Sequence, residues 1–178
     1  MNEDIRQQIV ISGVGGQGVL FITGLLADAA IDNGLPVFTS ETHGMAQRGG
    51  TVISHLKIGD FSSPLIRPGH ADGLIALKAE NMAQHGAFVK SGGWAAINSP
   101  SPIETDIETA ALNADLLAQD IGNPKSVNMI VLGLALAKKK LFCAVEEIRA
   151  VLEKRLHRKP KMLTDSLKAL ETGYSRSI

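Results

Sequence analysis

Two short segments concentrate the residues able to do chemistry. Gly13, Gly15 and Gly18 fall as G-x-G-x-x-G within Gly13-Val14-Gly15-Gly16-Gln17-Gly18. Glycines there permit a tight turn and let another group approach the backbone closely. A helix beginning just after would offer free N–H groups and a positive dipole end. Gly15, Gly16, Gln17 and Gly18 are therefore candidates for an anion-receptive turn; a purely steric strand–helix turn would use the same glycines equally well. The second segment is Glu41-Thr42-His43-Gly44-Met45-Ala46-Gln47-Arg48-Gly49-Gly50. It sets an acid, an imidazole, an amide and a guanidinium among glycines, which core packing does not require. The planar fork of Arg48 suits bidentate contact with a carboxylate or phosphate. An ion pair with Glu41 that holds the loop in shape is the alternative. His43 could donate a hydrogen bond, although a structural loop histidine explains it as well, and Gln47 could orient the same loop. Glu41 also keeps open a dinucleotide reading, in which an acid ending the second strand binds a ribose hydroxyl.

The elements that would position these segments follow from pattern. Residues 8–12 (QIVIS) read as a buried strand entering the glycine turn, and residues 19–34 as a helix closed by Gly34. Strands are expected at 36–40, at 51–58 with Val52, Ser54, Leu56 and Ile58 on one face, and at 72–77. His55 and Lys57 then fall on the other face of their strand, an ordinary solvent or interface position. Residues 78–85 read as helix, and residues 87–98 as a Gly-Gly turn before a strand at 94–98 or between two short strands. The SPSP stretch at 99–102 is the strongest loop signal. Beyond it strand signals stop, and helices are expected at 114–121, 127–140, 145–156 and after Pro160. If the first two strands are parallel neighbours, the two polar segments face each other at one sheet edge, where open α/β folds bind ligands. The expected architecture is an open Rossmann-like, mostly parallel α/β sheet with helices on both faces, spanning 1–178 as one domain.

Two helices are apolar nearly all round. Residues 19–33 carry only Asp28 and Asp32, and residues 127–137 carry no charge. Such helices are buried on more than one side, and in so small a chain a covering partner is the favoured expectation. Asn128, the polar side chain within the second, reads as a capping or loop-bonding group.

Composition narrows the function. Lys plus Arg and Asp plus Glu both total 18, and aromatics make up 4%, which argues against nucleic acid. No run is long and apolar enough to span a bilayer, and the polar start is no signal peptide. The single cysteine, Cys143, cannot supply the thiolates of an iron–sulfur cluster, and a reducing cytoplasm suits it. Near a helix start its thiol pKa could be somewhat lowered, but a small apolar role is the ordinary one. There is no H-E-x-x-H, Cys-x-x-Cys or G-x-S-x-G, and the glycine turn lacks the Lys-Ser/Thr of a P-loop. No metal site is expected.

GVGGQGV followed by ETHGMAQRGGTVISHLKIG resembles the gamma subunit or domain of 2-oxoacid:ferredoxin oxidoreductases, and the second motif is most similar to the small beta subunit of the indolepyruvate type. The likeness continues at VKSGGWAAINSP and SVNMIVLGLALA. It implies a Rossmann-like domain that helps build an assembly near its active site. The family decarboxylates a 2-oxoacid oxidatively with coenzyme A, giving an acyl-CoA, carbon dioxide and reduced ferredoxin. It implies that thiamine diphosphate and iron–sulfur clusters sit in a large partner subunit, with none held by this chain alone, and that ferredoxin is met through the complex. The expected cofactor contacts here are Gly13, Gly15, Gly16, Gln17, Gly18, Arg48, Gly49 and Gly50, with Arg48, His43 and Gln47 as catalytic candidates. Two other readings stay open: a stand-alone Rossmann-type nucleotide-binding dehydrogenase domain, and a scaffold subunit that oligomerises through its apolar helices. A homodimer of the isolated chain is also open.

Overall fold

The computed structural model describes residues 5–43 and 50–176 and, at His43, the backbone. Among them run strands β1 (Gln7–Val14), β2 (Val37–His43), β3 (Thr51–Ile58), β4 (Ala71–Ala76), β5 (Val89–Asn98) and β6 (Glu108–Leu112). The helices are α1 (Val19–Asp32), α2 (Ala79–His85), α3 (Ala114–Asp120), α4 (Val127–Ala137), α5 (Val145–Leu156) and α6 (Pro160–Ser175). One sheet of order β2-β3-β1-β4-β5-β6 organises them. β1, β4, β5 and β6 pair in parallel, while β3 is antiparallel to both β1 and β2. The expected open α/β sheet is present, but it is mixed, with two antiparallel pairings beside three parallel ones, and β1 and β2 are not neighbours. β2 and β3 form a hairpin, and β3 is inserted between them.

The helices are divided unevenly between the faces. Ile9, Ile11, Leu56, Ile75 and Ala96 share one core with α1, α3, α4, α5 and α6. The other core, around Val10, Ile53, Leu74 and Ile97, is closed by Met82 of α2, Phe88 and the loop residues Ile66, Ile103 and Ile107. β4 and β5 shift register between Ala71 and Gly73, with Gly92 in the left-handed region at φ 73°. The Gly-Gly pair is thus a bulge inside one long strand and not a turn between two.

The apolar helix α4 needs no partner to cover it. Every residue from Val127 to Leu136 is buried, between β4, β5 and β6 on one side and α6 on the other. A Cβ on Gly133 would collide with the Leu170 carbonyl, and one on Gly173 with that of Ile130, so the two backbones lie in direct contact. α5 covers α1, with Arg155 pairing Asp28 at 2.6 Å and Lys154 pairing Asp32 at 2.8 Å. For α4, burial under a partner, expected from the apolar pattern, is replaced by burial within the chain, because α6 adds a second helical layer, whereas α1 keeps Leu20 and Ile31 exposed.

Strand signals do not end at the SPSP loop. β6 follows it, pairing with β5 from Trp94↔Glu108 to Asn98↔Leu112. Glu108 ion-pairs Lys140 and Lys138 beyond the end of α4, holding this edge strand to the helical layer. Lys138 is the α4 C-cap, so the helix stops short of the expected 140. Asn98 locks the β5 end: its amide donates to the Leu77 carbonyl at 3.1 Å and to Asp115 at 2.8 Å, while its oxygen accepts from Ala114 N–H at 2.9 Å.

Candidate functional site

The glycine turn leaves β1 and enters α1 as the sequence implies. Gly13 sits at the strand end, where a Cβ would meet Val19 at 2.8 Å and Leu77 at 3.2 Å. Gly16 and Gly18 take φ 91° and 84°, a region that disfavours other residues. The Gln17 side-chain oxygen accepts from Val14 N–H at 2.9 Å, so this residue closes the turn on itself and its carbonyl is not offered to a ligand. Gly15 N–H donates to the Gly50 carbonyl at 3.0 Å. That bond joins the glycine turn to the far end of the second polar segment. The two segments meet at one sheet edge, although through β3, with Val14 opposite Thr51 and His43 opposite Val52.

Glu41 and Thr42 are exposed residues of β2 and not of a loop, because the hairpin pairing runs through His43. Gln47, Arg48 and Gly49, and the side chain of His43, lie outside the described residues. The insertion of β3 sets Glu41 two strand spacings from β1, roughly 10 Å. A ribose-binding acid belongs on the strand adjacent to the glycine turn, so the dehydrogenase reading loses its second element.

Beside the turn lies a cavity of about 680 Å³, lined by Gly16, Gly18, Lys125, Asn128, Lys159 and Lys161 among others. The first turns of α1, α4 and α6 all open onto it, with Gly18, Ser126 and Lys159 at their caps. Helix N-termini carry positive partial charge and free N–H groups, and three lysines add to that field. Asp165 is the acid in the lining. Asn128 packs against Gly18, and its oxygen accepts from Met129 N–H at 2.9 Å. The sequence marked it as a capping residue, and it is also part of this wall. Lys125, Lys159 and Lys161 were missed from sequence. Their signal was a lysine just ahead of an apolar helix and two lysines flanking a helix-starting proline. Only the fold brings them to the glycine turn. Chemically, backbone N–H groups and lysine ammoniums in this arrangement suit phosphate or carboxylate oxygens.

Two residues differ from expectation by burial. His55 and Lys57 are 5% and 6% exposed, because the segment following Gly59 folds over that face of β3. Ile66 N–H donates to His55 Nδ1 at 3.3 Å, which requires that nitrogen to be unprotonated. Ser12 Oγ and His85 Nδ1 share a 2.7 Å hydrogen bond. Burial holds both imidazoles below their ordinary 6.5, and for His55 the charges of His85 and Lys57 add to it. The unfolded chain therefore binds protons that the folded chain refuses between 6.5 and those lower values. Their contribution to stability is complete above 6.5 and is lost as the pH falls through that window. Thermal melts from about pH 7.5 down to about pH 5.5 should show a falling midpoint, and His85→Asn, which keeps an acceptor for Ser12, should flatten that acid limb. Cys143 is buried, with its thiol pushed up to about 12 by desolvation and by Glu147. A lowered pKa is excluded, and the small apolar role stands.

Comparisons with known proteins bear on the family and the fold. The family model described as pyruvate ferredoxin/flavodoxin oxidoreductase matches residues 8–176. Indolepyruvate oxidoreductase subunit IorB of Archaeoglobus fulgidus is 32% identical, over 98% of this chain and 96% of that one. The gamma subunit of a keto/oxoacid ferredoxin oxidoreductase from Geobacter sulfurreducens superposes with a TM-score of 0.78 at 25% identity, over 96% of this chain and 98% of that one. The 2-oxoglutarate:ferredoxin oxidoreductase of Magnetococcus marinus, solved with 2-oxoglutarate, coenzyme A and succinyl-CoA bound, shares the fold with a TM-score of 0.81 at 21% identity, over 98% of this chain but 31% of that one. From the first strand to the last helix, then, this chain belongs to the pyruvate ferredoxin/flavodoxin oxidoreductase family.

Proposed function

We propose that this chain is the small subunit of a 2-oxoacid:ferredoxin oxidoreductase acting on indolepyruvate or a related arylpyruvate, and that its glycine-turn cavity takes the phosphate end of coenzyme A. The observation that carries the reading is the convergence of the glycine turn and three helix N-termini on one cavity that also carries three lysines, with the Gly50 end of the second segment bonded to that turn. The substrate class rests on the likeness to indolepyruvate oxidoreductase subunits. The reaction needs a carbanion-stabilising cofactor and a path for electrons. One cysteine, buried and held as the thiol, does not fit the donor set of an iron–sulfur cluster. Among the described residues there is also no group of three or more His, Cys, Asp or Glu able to hold a metal ion. Thiamine diphosphate and the clusters accordingly belong to a large partner subunit, which passes electrons to ferredoxin. Residues 1–178 are read as one domain, since both cores lie on the two faces of one sheet. Among the described residues no helix is long and apolar enough to cross a membrane, and a cytoplasmic setting suits the unpaired thiol.

Gly13, Gly15, Gly16, Gly18 and Gly50 shape the cradle, with Gln17 closing it, and Gly49 is assigned a cofactor contact by its place in the second segment. Arg48 supplies a guanidinium to a coenzyme A phosphate or the 2-oxoacid carboxylate, and His43 and Gln47 orient the same segment. In a complex reconstituted with the large subunit, Arg48→Ala should raise KM for coenzyme A or for the 2-oxoacid at least tenfold, the scale of one lost charge-assisted contact at about 1.5–3 kcal/mol. Unchanged kinetics would remove Arg48 from the site.

A further inference from the structure

The sheet edge opposite the glycine turn carries a second concentration of positive charge. Arg6, Lys57, Arg67 and His70 line a recess of about 460 Å³ with Phe61 at its wall. Its position follows from the topology: Arg6 precedes β1, Lys57 pairs with Gln8 near the end of β3, and His70 precedes β4. The Arg6 guanidinium carbon lies 4.5 Å from the centre of the Phe61 ring, and Lys57 Nζ lies 5.0 Å from it.

Lys57 is the unusual member. It is 6% exposed, yet among the described residues its ammonium makes no ion pair or side-chain hydrogen bond. The nearby acid, Asp72, is already committed, with one oxygen to Lys90 and the other to Gln8 N–H. Arg6 and Arg67 likewise have no carboxylate partner among the described residues. Like charges gathered round one recess repel one another unless an anion answers them, and a ring face offsets only part of that cost. Desolvation and the charges of Arg67 and Arg6 together hold Lys57 below its ordinary value. Two guanidiniums in fork geometry beside a lysine point charge match the oxygens of a phosphate group.

We propose that this recess is a second anion site, which takes the phosphate group of a small molecule between Arg6, Lys57 and Arg67. The site does not depend on the glycine-turn cavity, which lies at the other end of the strands.

The test is calorimetric titration of the full-length chain with inorganic phosphate and with pyrophosphate at low salt. Saturable binding is expected. In a Lys159→Ala/Lys161→Ala background, which removes two lysines of the other cavity, saturable binding should persist and Lys57→Met should weaken it at least tenfold. Arg67→Ala, at an exposed position, should weaken it severalfold with an unaltered melting temperature, and it decides the matter if Lys57→Met does not fold. No saturable binding up to about 10 mM would overturn the proposal. So would binding indifferent to Lys57 and Arg67, or binding lost with Lys159 and Lys161. Failure of this site leaves the coenzyme A reading intact, since that one is read from Lys159, Lys161 and Arg48.

Discussion

Gly173→Ala is expected to lower the melting temperature by on the order of 10 °C, the shift that about 3 kcal/mol produces in a chain of this size. The sign makes the prediction sharp. At an unobstructed helical position, alanine in place of glycine stabilises by about 1 kcal/mol. At Gly173 the new methyl would lie inside the carbonyl of Ile130, with the Ile130 Cα 3.0 Å away. Backbone atoms cannot rotate aside as a side chain can. The helices α4 and α6 must therefore separate, and a core packed at crystal-like density does not refill the gap. Gly24→Ala in α1 is the control. Its Cβ would meet only the end of the Arg155 side chain, at 2.8 Å, and that flexible group can shift. Thermal melts of the two variants should move in opposite directions, or at least differ by several degrees. A neutral Gly173→Ala would mean that α6 is not seated against α4, and then Lys159 and Lys161 would not reach the glycine turn.

The second large effect falls on function and not on folding. Gly18→Ala places a methyl at φ 84° against the Asn128 amide nitrogen. The left-handed backbone costs about 1–2 kcal/mol. Asn128 can swing away only by giving up its bond from Met129 N–H. The overall fold should survive, because the clash meets the end of a side chain. The cradle formed by the first turns of α1 and α4 should not. Reconstituted with the large subunit, the variant should lose at least tenfold in kcat/KM for coenzyme A, read as a rise in KM, with the midpoint of unfolding lowered by only a few degrees. Gly16→Ala provides the comparison: nothing lies within 4 Å of its Cβ, so it bears the backbone cost without the clash.

Legibility from sequence followed the strength of local punctuation. β1, the glycine turn and α1 were evident because glycines end one pattern and start the next. α5 was located at its observed bounds because Val145, Ile148, Val151 and Leu152 form a stripe at helical spacing. β6 was not, since Glu-Thr-Ala-Ala-Leu is short, rich in alanine and lies at an edge; it is a strand because β5 offers it a ladder. The all-apolar character of α4 announced burial but not its source, as Gly133 and Gly173 reveal their contact only when α6 is folded back. The same distance effect hid half of the site. The glycine turn and the 41–50 segment stand out locally, but Lys125, Lys159 and Lys161 are ordinary surface-type lysines until three helix starts converge. His55 and Lys57 misled for the converse reason: strand alternation assigns a face but does not say which loop will cover it.

The most direct measurement is arylpyruvate oxidation, with coenzyme A and ferredoxin, by the large subunit assayed with and without this chain. The chain alone should be inactive, the large subunit alone should turn over coenzyme A poorly, and mixing the two should restore acyl-CoA formation that saturates with coenzyme A. Full coenzyme A-dependent activity from the large subunit by itself would contradict the account.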